Sequence, residues 1–237
     1  MSRNSRSVIE HPRLAMIRRR PWTMKAEGSG SMIFETNRRL RTGIHRSWDP
    51  RRSKLAAGLV NAQSEVQWLP DHKSTVLYLG AGHGRTVSHL HDLMWGREGH
   101  GRLIAIDISA RCLRDLRQMA ATRQGILPIL GDVREVHWMA MSLDEPATHL
   151  IQDVSTSGQA EIFARSTRFL QVGGWALLSL KLASERGGKT MKDAVNRAHI
   201  EAKVGDTVLL SPACSSFDLF KDFVQRGDEF KKCVLEI

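Results

Sequence analysis

The sequence predicts an α/β protein: a parallel, Rossmann-like sheet with helices on both faces and an atypical C-terminal end. Two observations predict this class. The candidate strands are apolar along almost their whole length, which is typical of strands buried on both faces, and helical stretches separate them. The strands are expected at about 75–79, 103–106, 126–130, 148–152 and 175–182, with helices such as 110–122 and 158–170 between them. Ligands of such sheets bind at the carboxyl ends of the strands.

The first of these strands breaks into a glycine-rich turn, Gly80-Ala81-Gly82-His83-Gly84. Glycine has no Cβ, so a ligand can lie directly against the backbone of such a turn. A dinucleotide-binding turn needs its third glycine where this chain has Arg85, because the turn must place a pyrophosphate at a helix N-terminus. S-adenosylmethionine has no pyrophosphate. The altered spacing therefore favours S-adenosylmethionine over a dinucleotide.

Acidic residues follow the next three strands. We expect Asp107 to accept hydrogen bonds from both hydroxyls of a ribose, and Asp132 to accept from an adenine amino group. Asp153 follows the fourth strand. A single acid at such a position is often a helix cap. Acids at successive strand ends share one edge of the sheet, and together they indicate a methyltransferase cofactor site.

Two lysines indicate which reaction the site could catalyse. Lys181 ends an otherwise apolar strand, and Lys54 lies where a helix begins. With Asp153 they could form a Lys–Asp–Lys cluster that orients a ribose 2′-hydroxyl and stabilises the alkoxide developing on it. The alternative for Lys54 alone is an ordinary solvated lysine. That alternative is weaker for Lys181, because a charged side chain is rarely found in a buried strand.

Composition sets broader limits. The 237 residues, 41% of them hydrophobic, suffice for one core and a small appendage. The net charge of +10 favours a polyanionic partner such as nucleic acid, with a generally basic surface as the alternative. Three cysteines at unrelated spacings predict no disulfide framework and no metal site, which fits a cytoplasmic protein. No apolar run approaches the roughly 20 residues of a membrane span, so no membrane partner is expected.

Changes in composition divide the chain into three expected segments. Residues 1–36 are rich in arginine and predict a mostly disordered basic arm that touches phosphates. Residues 37–188 carry the alternating strands and helices of the methyltransferase domain. Residues 189–237 change character again, and Thr207–Leu210 within them is expected to pair with the sheet.

Residues 44–183 resemble the catalytic domain of archaeal fibrillarin-like RNA 2′-O-methyltransferases. The matching stretches are Trp48–Ala57, Leu77–Ala81, Ile126–Asp132, Asp153-Val154, Gln159–Ile162 and Leu180-Lys181. The resemblance implies S-adenosylmethionine as cofactor and catalytic roles for Lys54, Asp153 and Lys181. With Gly80 and Gly82 of the turn, the expected cofactor contacts are Arg85, Thr86, Asp107, Ile108, Asp132, Val133, Asp153 and Val154.

The resemblance also implies partners. Enzymes of this family work inside a box C/D guide-RNA particle, in which a scaffold protein holds the enzyme and base pairing selects the target nucleotide in rRNA or tRNA. The chain departs from the family pattern at several points. The family usually has Thr-Thr where Arg85-Thr86 stand, and Asp-Val-Ala-Gln where Asp153-Val154-Ser155-Thr156 stand. The basic arm is expected to replace the amino-terminal β domain, and the final hairpin with a fourth catalytic residue is missing.

The C-terminal segment resembles the end of UDP-N-acetylmuramoylalanine–D-glutamate ligase. The similar strings are Gly205–Asp218, Phe220–Phe223 and Arg226–Phe230. An ATP-binding loop at Gly187-Gly188-Lys189-Thr190 would need a glycine where Ala183 stands, so that motif is incomplete. Two alternatives to the methyltransferase therefore stay open: a catalytically impaired RNA-binding remnant, and a ligase-derived fragment defined by its tail.

Overall fold

The computed structural model describes residues 9–29, 35–62, 65–96, 99–181, 184, 191–202, 207–210 and 223–236. The chain forms two compact units. The first contains Met1–Val76 and Ala81–Leu130, and the second contains Leu77–Gly80 and Gly131–Ile237. The division passes through one strand, so that each unit includes part of it.

The first unit begins with a four-stranded antiparallel sheet. Its strands are β1 (Leu14–Ile17), β2 (Arg20–Met24), β3 (Asn37–Leu40) and β4 (Gly43–Ser47), in the order β1-β2-β4-β3. The expectation of a mostly disordered arm over residues 1–36 is wrong here, because β2 pairs with β4 across the expected boundary. Burial explains the error: Thr23 and Trp22 are buried despite the surrounding arginines. Arg18 and Arg19 occupy the tight β1–β2 turn, both with positive φ.

The rest of the first unit is α/β. Its elements are α1 (Lys54–Asn61), the first two residues of β5 (Thr75–Leu79), α2 (Arg85–Leu93), β6 (Trp95–Gly96), β7 (Gly99–His100), β8 (Arg102–Asp107), α3 (Ala110–Ala120) and β9 (Ile126–Leu130). The strand order is β5-β8-β9, with β8 and β9 parallel, and α3 packs on both of these strands. Strand β8 is buried from Leu103 to Ile106, as its apolar sequence predicts.

A buried ionic cluster joins the antiparallel sheet to α2 within this unit. At its centre, the carboxylate of Asp92 on α2 lies 2.6 Å from Nη2 of Arg46 on β4 and 2.9 Å from Nη1 of Arg123. Glu35 contacts the same Arg46 guanidinium, and His89 of α2 lies 3.3 Å from the Glu35 carboxylate. Every one of these side chains is at most 3% exposed, so the cluster is closed to solvent.

The second unit is also α/β. Its further elements are α4 (His137–Ser142), β10 (Ala147–Gln152), α5 (Gln159–Ser166), β11 (Leu170–Leu180), α6 (Met191–Glu201), β12 (Thr207–Leu210) and α7 (Phe223–Leu235). The strand order is β12-β11-β10-β5, and β11 is parallel to both of its neighbours. The predicted parallel sheet and the pairing of Thr207–Leu210 are confirmed. Because β12 runs parallel to β11, it does not form an antiparallel hairpin.

The C-terminal segment is described only in part. Residues Cys233 to Leu235 belong to α7, and Cys233 is buried. The loop 187–190 lies outside the described residues, as do residues 211–222 with the parts of the ligase-like strings that they contain. Among the helices that the structure describes, none has the length and apolar character needed to cross a membrane.

Candidate active site

In the first unit, the glycine-rich turn is bonded to the acid at the end of β8. Gly82 has φ +56°, and its backbone N–H donates to Oδ2 of Asp107 at 2.7 Å. Oδ1 of Asp107 accepts from the backbone N–H of Ser109 at 2.8 Å. These two bonds fix the carboxylate and use two of its roughly four acceptor sites. The next residue, Ile108, is 67% exposed and presents an apolar side chain beside this carboxylate.

The third glycine of the turn has a packing role. Gly84 precedes α2 with φ +82°, and a Cβ there would overlap the Met119 methyl and lie 2.9 Å from a Leu116 methyl. Only glycine therefore lets the start of α2 approach α3 so closely. Arg85 and Thr86, two of the expected cofactor contacts, are the first residues of α2.

Lys54 is the first residue of α1, as predicted. Ser53 caps this helix by accepting from the backbone N–H of Ala56, and its hydroxyl lies 3.0 Å from that of Thr86. The start of α1 is thus tied to the start of α2. Because Lys54 and the Asp153–Lys181 pair belong to different units, the full Lys–Asp–Lys cluster stays a prediction.

In the second unit, Gly80 lets the end of β5 approach Asp153. Gly80 has φ +80°, and a Cβ there would lie 2.5 Å from the carbonyl oxygen of Asp153. The backbone N–H of Asp153 donates to the carbonyl of Leu79 at 2.8 Å. Val154 is buried behind them. Glycine at position 80 is therefore required for Asp153 to sit at the carboxyl end of β10.

Asp153 is paired with Lys181. The Lys181 ammonium lies 3.0 Å from Oδ1 of Asp153, with side-chain exposures of 8% and 18% respectively. The same Nζ donates to the Asp153 carbonyl at 3.1 Å and to the hydroxyl of Ser155 at 2.7 Å. Lysine is almost never buried without such partners. The predicted proximity of Asp153 and Lys181 is present in the structure.

Gln159 is a polar residue of this site to which the sequence gave no role. It is fully buried at the start of α5 and bonds to Lys181 twice. Its Oε1 accepts from the backbone N–H of Lys181, and its Nε2 donates to the Lys181 carbonyl, both at 2.9 Å. Gln159 belongs to one of the strings that carry the family resemblance, but side-chain bonds to a distant backbone leave no periodic signal in sequence.

Asp132, which is expected to accept a hydrogen bond from an adenine amino group, already accepts hydrogen bonds from Arg134. Both carboxylate oxygens accept from Arg134, and Oδ1 also accepts from the backbone N–H of that residue at 2.9 Å. These hydrogen bonds hold the pKa of Asp132 below its ordinary value. Next to it, Val133 is buried, and Gly131 lies against the Trp138 ring. A ligand amino group at Asp132 would have to share the carboxylate with Arg134.

A glycine-rich turn, with acids at the carboxyl ends of parallel strands, defines the Rossmann-like class of α/β folds that accommodate nucleoside cofactors. Comparison of the sequence and fold with known proteins narrows this class to one family. The chain belongs to the fibrillarin family, whose model matches residues 23–205.

Individual relatives agree with this assignment. The fibrillarin-like rRNA/tRNA 2′-O-methyltransferase of Methanosarcina acetivorans is 40% identical over 141 residues, which are 59% of each protein. The matched part thus spans about three fifths of that relative's length.

Two solved structures share the fold. A Methanococcus jannaschii fibrillarin pre-rRNA processing protein matches 78% of both chains with a TM-score of 0.67 and 28% identity. Aeropyrum pernix fibrillarin, in complex with natively bound S-adenosyl-L-methionine, matches 79% of this chain and 83% of its own with a TM-score of 0.65 and 28% identity.

Proposed function

We propose that this chain is an S-adenosylmethionine-dependent methyltransferase that modifies ribose 2′-hydroxyls of rRNA or tRNA. The observation that carries the proposal is the buried Lys181 ammonium bonded to Asp153 at the carboxyl end of a parallel strand. The curated relative with 40% identity is named for this activity, which supports the same assignment.

The residues of the glycine-rich turn fit the proposed cofactor. The fixed Asp107 carboxylate is an acceptor suited to ribose hydroxyls, and the exposed Ile108 side chain suits the face of an adenine. Apart from Gly82 and its two chain neighbours, no atom of the described residues lies within 4 Å of where a Cβ of residue 82 would stand, so the turn has room for a ligand. S-adenosylmethionine, when bound, supplies an electrophilic methyl group.

The chemistry asked of the protein is to orient a weak nucleophile and stabilise its charge. In its neutral form, Lys181 can accept the proton of a 2′-hydroxyl at Nζ, and the ammonium formed in this way stabilises the oxygen that has lost the proton. Asp153 holds Nζ in place through Oδ1. Lys54 would add a second positive charge, as the family resemblance implies. Positioning and electrostatics thus account for the expected rate enhancement.

Box C/D guide RNA, target rRNA or tRNA and a scaffold protein are the partners that family membership supports, and the net charge of +10 suits polyanions. The four-stranded sheet occupies the place where the resemblance expects an amino-terminal β domain, which favours a retained scaffold contact. The archaeal source of the relatives favours action in the cytoplasm.

Calorimetric titration with S-adenosylmethionine tests the cofactor assignment. We expect micromolar binding that Asp107→Ala weakens by about ten- to a hundredfold, because a hydrogen bond to a charged group is worth about 1.5–3 kcal/mol. The charge-matched control Glu145→Ala removes an exposed acid and should bind like the wild type. Absence of binding at high micromolar concentration, or binding unaffected by Asp107→Ala, would contradict the proposal.

A further inference from the structure

We propose that Gln159 and Ser155 are positioning residues for Lys181: Gln159 fixes its backbone, and Ser155 fixes its ammonium group. The inference rests on the proposed function, because it explains how the reacting lysine is held. Neither side chain is assigned a contact with cofactor or RNA. Each acts through Lys181, and each does so by direct hydrogen bonds.

The side chain of Gln159 makes backbone hydrogen bonds one residue beyond the point where the pairing of β11 with β12 ends. Strand β11 ends at Leu180, which is paired with Leu210 of β12, and Lys181 is the next residue. The side-chain amide of Gln159 then bonds both the N–H and the carbonyl of Lys181, in the manner of a neighbouring strand. A single planar amide that makes two bonds leaves the Lys181 backbone little freedom to rotate.

Gln159 is itself anchored to the strand that carries Asp153. Its backbone carbonyl accepts from Nε2 of Gln152 at 2.7 Å, and Gln152 is the last residue of β10, immediately before Asp153. Both Gln152 and Gln159 are fully buried. The carboxyl ends of β10 and β11 are therefore linked through Gln159, which sets the position of Lys181 relative to Asp153.

Ser155 acts at the other end of the lysine side chain. An ammonium group has three N–H donors, and Nζ of Lys181 bonds Oδ1 of Asp153, the Asp153 carbonyl and the Ser155 hydroxyl. The serine bond is the shortest of the three, at 2.7 Å. Ser155 stands where the family usually has alanine. This chain therefore has a hydrogen-bond acceptor for its lysine that the family pattern lacks.

The test for Ser155 is methyl transfer by the full chain, assembled with scaffold protein, a box C/D guide RNA and a complementary target oligonucleotide. For Ser155→Ala we expect kcat to fall about tenfold, since one bond to a charged group is lost. KM for the target, the Kd of the cofactor and the melting temperature should stay unchanged, and Ser155→Thr should restore kcat. The matched control is Ser157→Ala, an exposed serine of the same loop.

For Gln159, the test variant is Gln159→Met, which keeps the side-chain length without its polar atoms. We expect a loss in kcat on the order of a hundredfold, because two bonds are removed. The Gln152 bond should persist, since it is made to the backbone. Gln171→Met, at an exposed position on β11, is the control and should match the wild type.

A second readout separates this inference from the proposed function. Pulse labelling with acetic anhydride, read by peptide mass spectrometry, should acetylate Lys181 several times faster in Ser155→Ala than in the wild type or Ser157→Ala. If the wild type transfers methyl groups and both variants keep its kcat and its labelling rate, the positioning roles are wrong. If the wild type transfers no methyl groups while Ser155→Ala still accelerates labelling, the positioning role of Ser155 is supported and the proposed function is wrong.

Discussion

Two groups of buried ions, one in each unit, combine an acid with basic side chains and differ in exposure. In the first unit, Asp92, Arg46 and Arg123 are at most 1% exposed, and both arginines bond to the Asp92 carboxylate. In the second unit, the Asp153 side chain keeps 18% of its surface exposed at the end of a strand. A buried ion pair alone therefore does not indicate an active site. Access to solvent at the carboxyl end of a parallel strand distinguishes the Asp153–Lys181 pair, which we propose to be catalytic, from the Asp92 cluster.

The histidines beside the closed cluster point to the same conclusion. Burial is the main reason why the pKa values of His89 and His91 fall to about 4, so both rings are neutral at physiological pH. His89 is stacked on Trp48 with ring centroids 5.0 Å apart. Burial alone would raise the pKa of Asp92, but the charges of Arg46 and Arg123 lower it below its ordinary value. This cluster is stabilised as a fixed set of charges, with no group exposed for chemistry.

The largest expected effect on folding is that of Asp92→Asn. It leaves Arg46 and Arg123 buried without their shared carboxylate, which should lower the free energy of unfolding by about 3–5 kcal/mol. Urea denaturation measures this loss. The matched variant Asp153→Asn should lose clearly less stability, because solvent reaches its side chain. Equal losses in the two variants would show that solvent exposure does not make the Asp153–Lys181 pair less important for stability than the Asp92 cluster.

A change of one pH unit is expected to have a smaller effect on stability. His89 and His91 have folded-state pKa values of about 4, below the ordinary histidine value of 6.5, so the unfolded chain binds more protons between these values. The free energy of unfolding should therefore fall as pH drops from about 6.5 towards 4, by up to about 1.4 kcal/mol per pH unit for each ring. His89 faces Glu35, Arg46 and Asp92. His89→Gln should flatten the dependence; an unchanged slope would contradict the assignment.

The smallest effect on stability is expected when an exposed ion pair is broken. Arg134 and Asp132 have side-chain exposures of 57% and 21%, so water screens their attraction. Arg134→Ala should leave the midpoint of urea denaturation unchanged within error. A large destabilisation would show that exposure does not separate weak from strong ion pairs in this protein.

The α/β part was predictable because its signals are local. Buried strands are uniformly apolar, and the acids stand directly at their ends, so β8, Asp107 and Lys181 could be located from sequence. The antiparallel sheet was missed because its burial depends on partners distant in the chain: Arg46 looks like a surface residue until Asp92 is placed beside it. Gln159 was missed as a site residue for the same reason, since its partner Lys181 lies 22 residues away.

We propose that Asp153 and Lys181 assist methyl transfer to a ribose. The most direct test is transfer from radiolabelled S-adenosylmethionine to a guide-specified target RNA, with the 2′-O-methyl group located by resistance of the adjacent linkage to alkali. We expect one labelled nucleotide per target with the wild type. Lys181→Met should reduce transfer on the order of a hundredfold or more, with cofactor binding retained. Undiminished transfer by Lys181→Met, or label on a base rather than a ribose, would contradict the account.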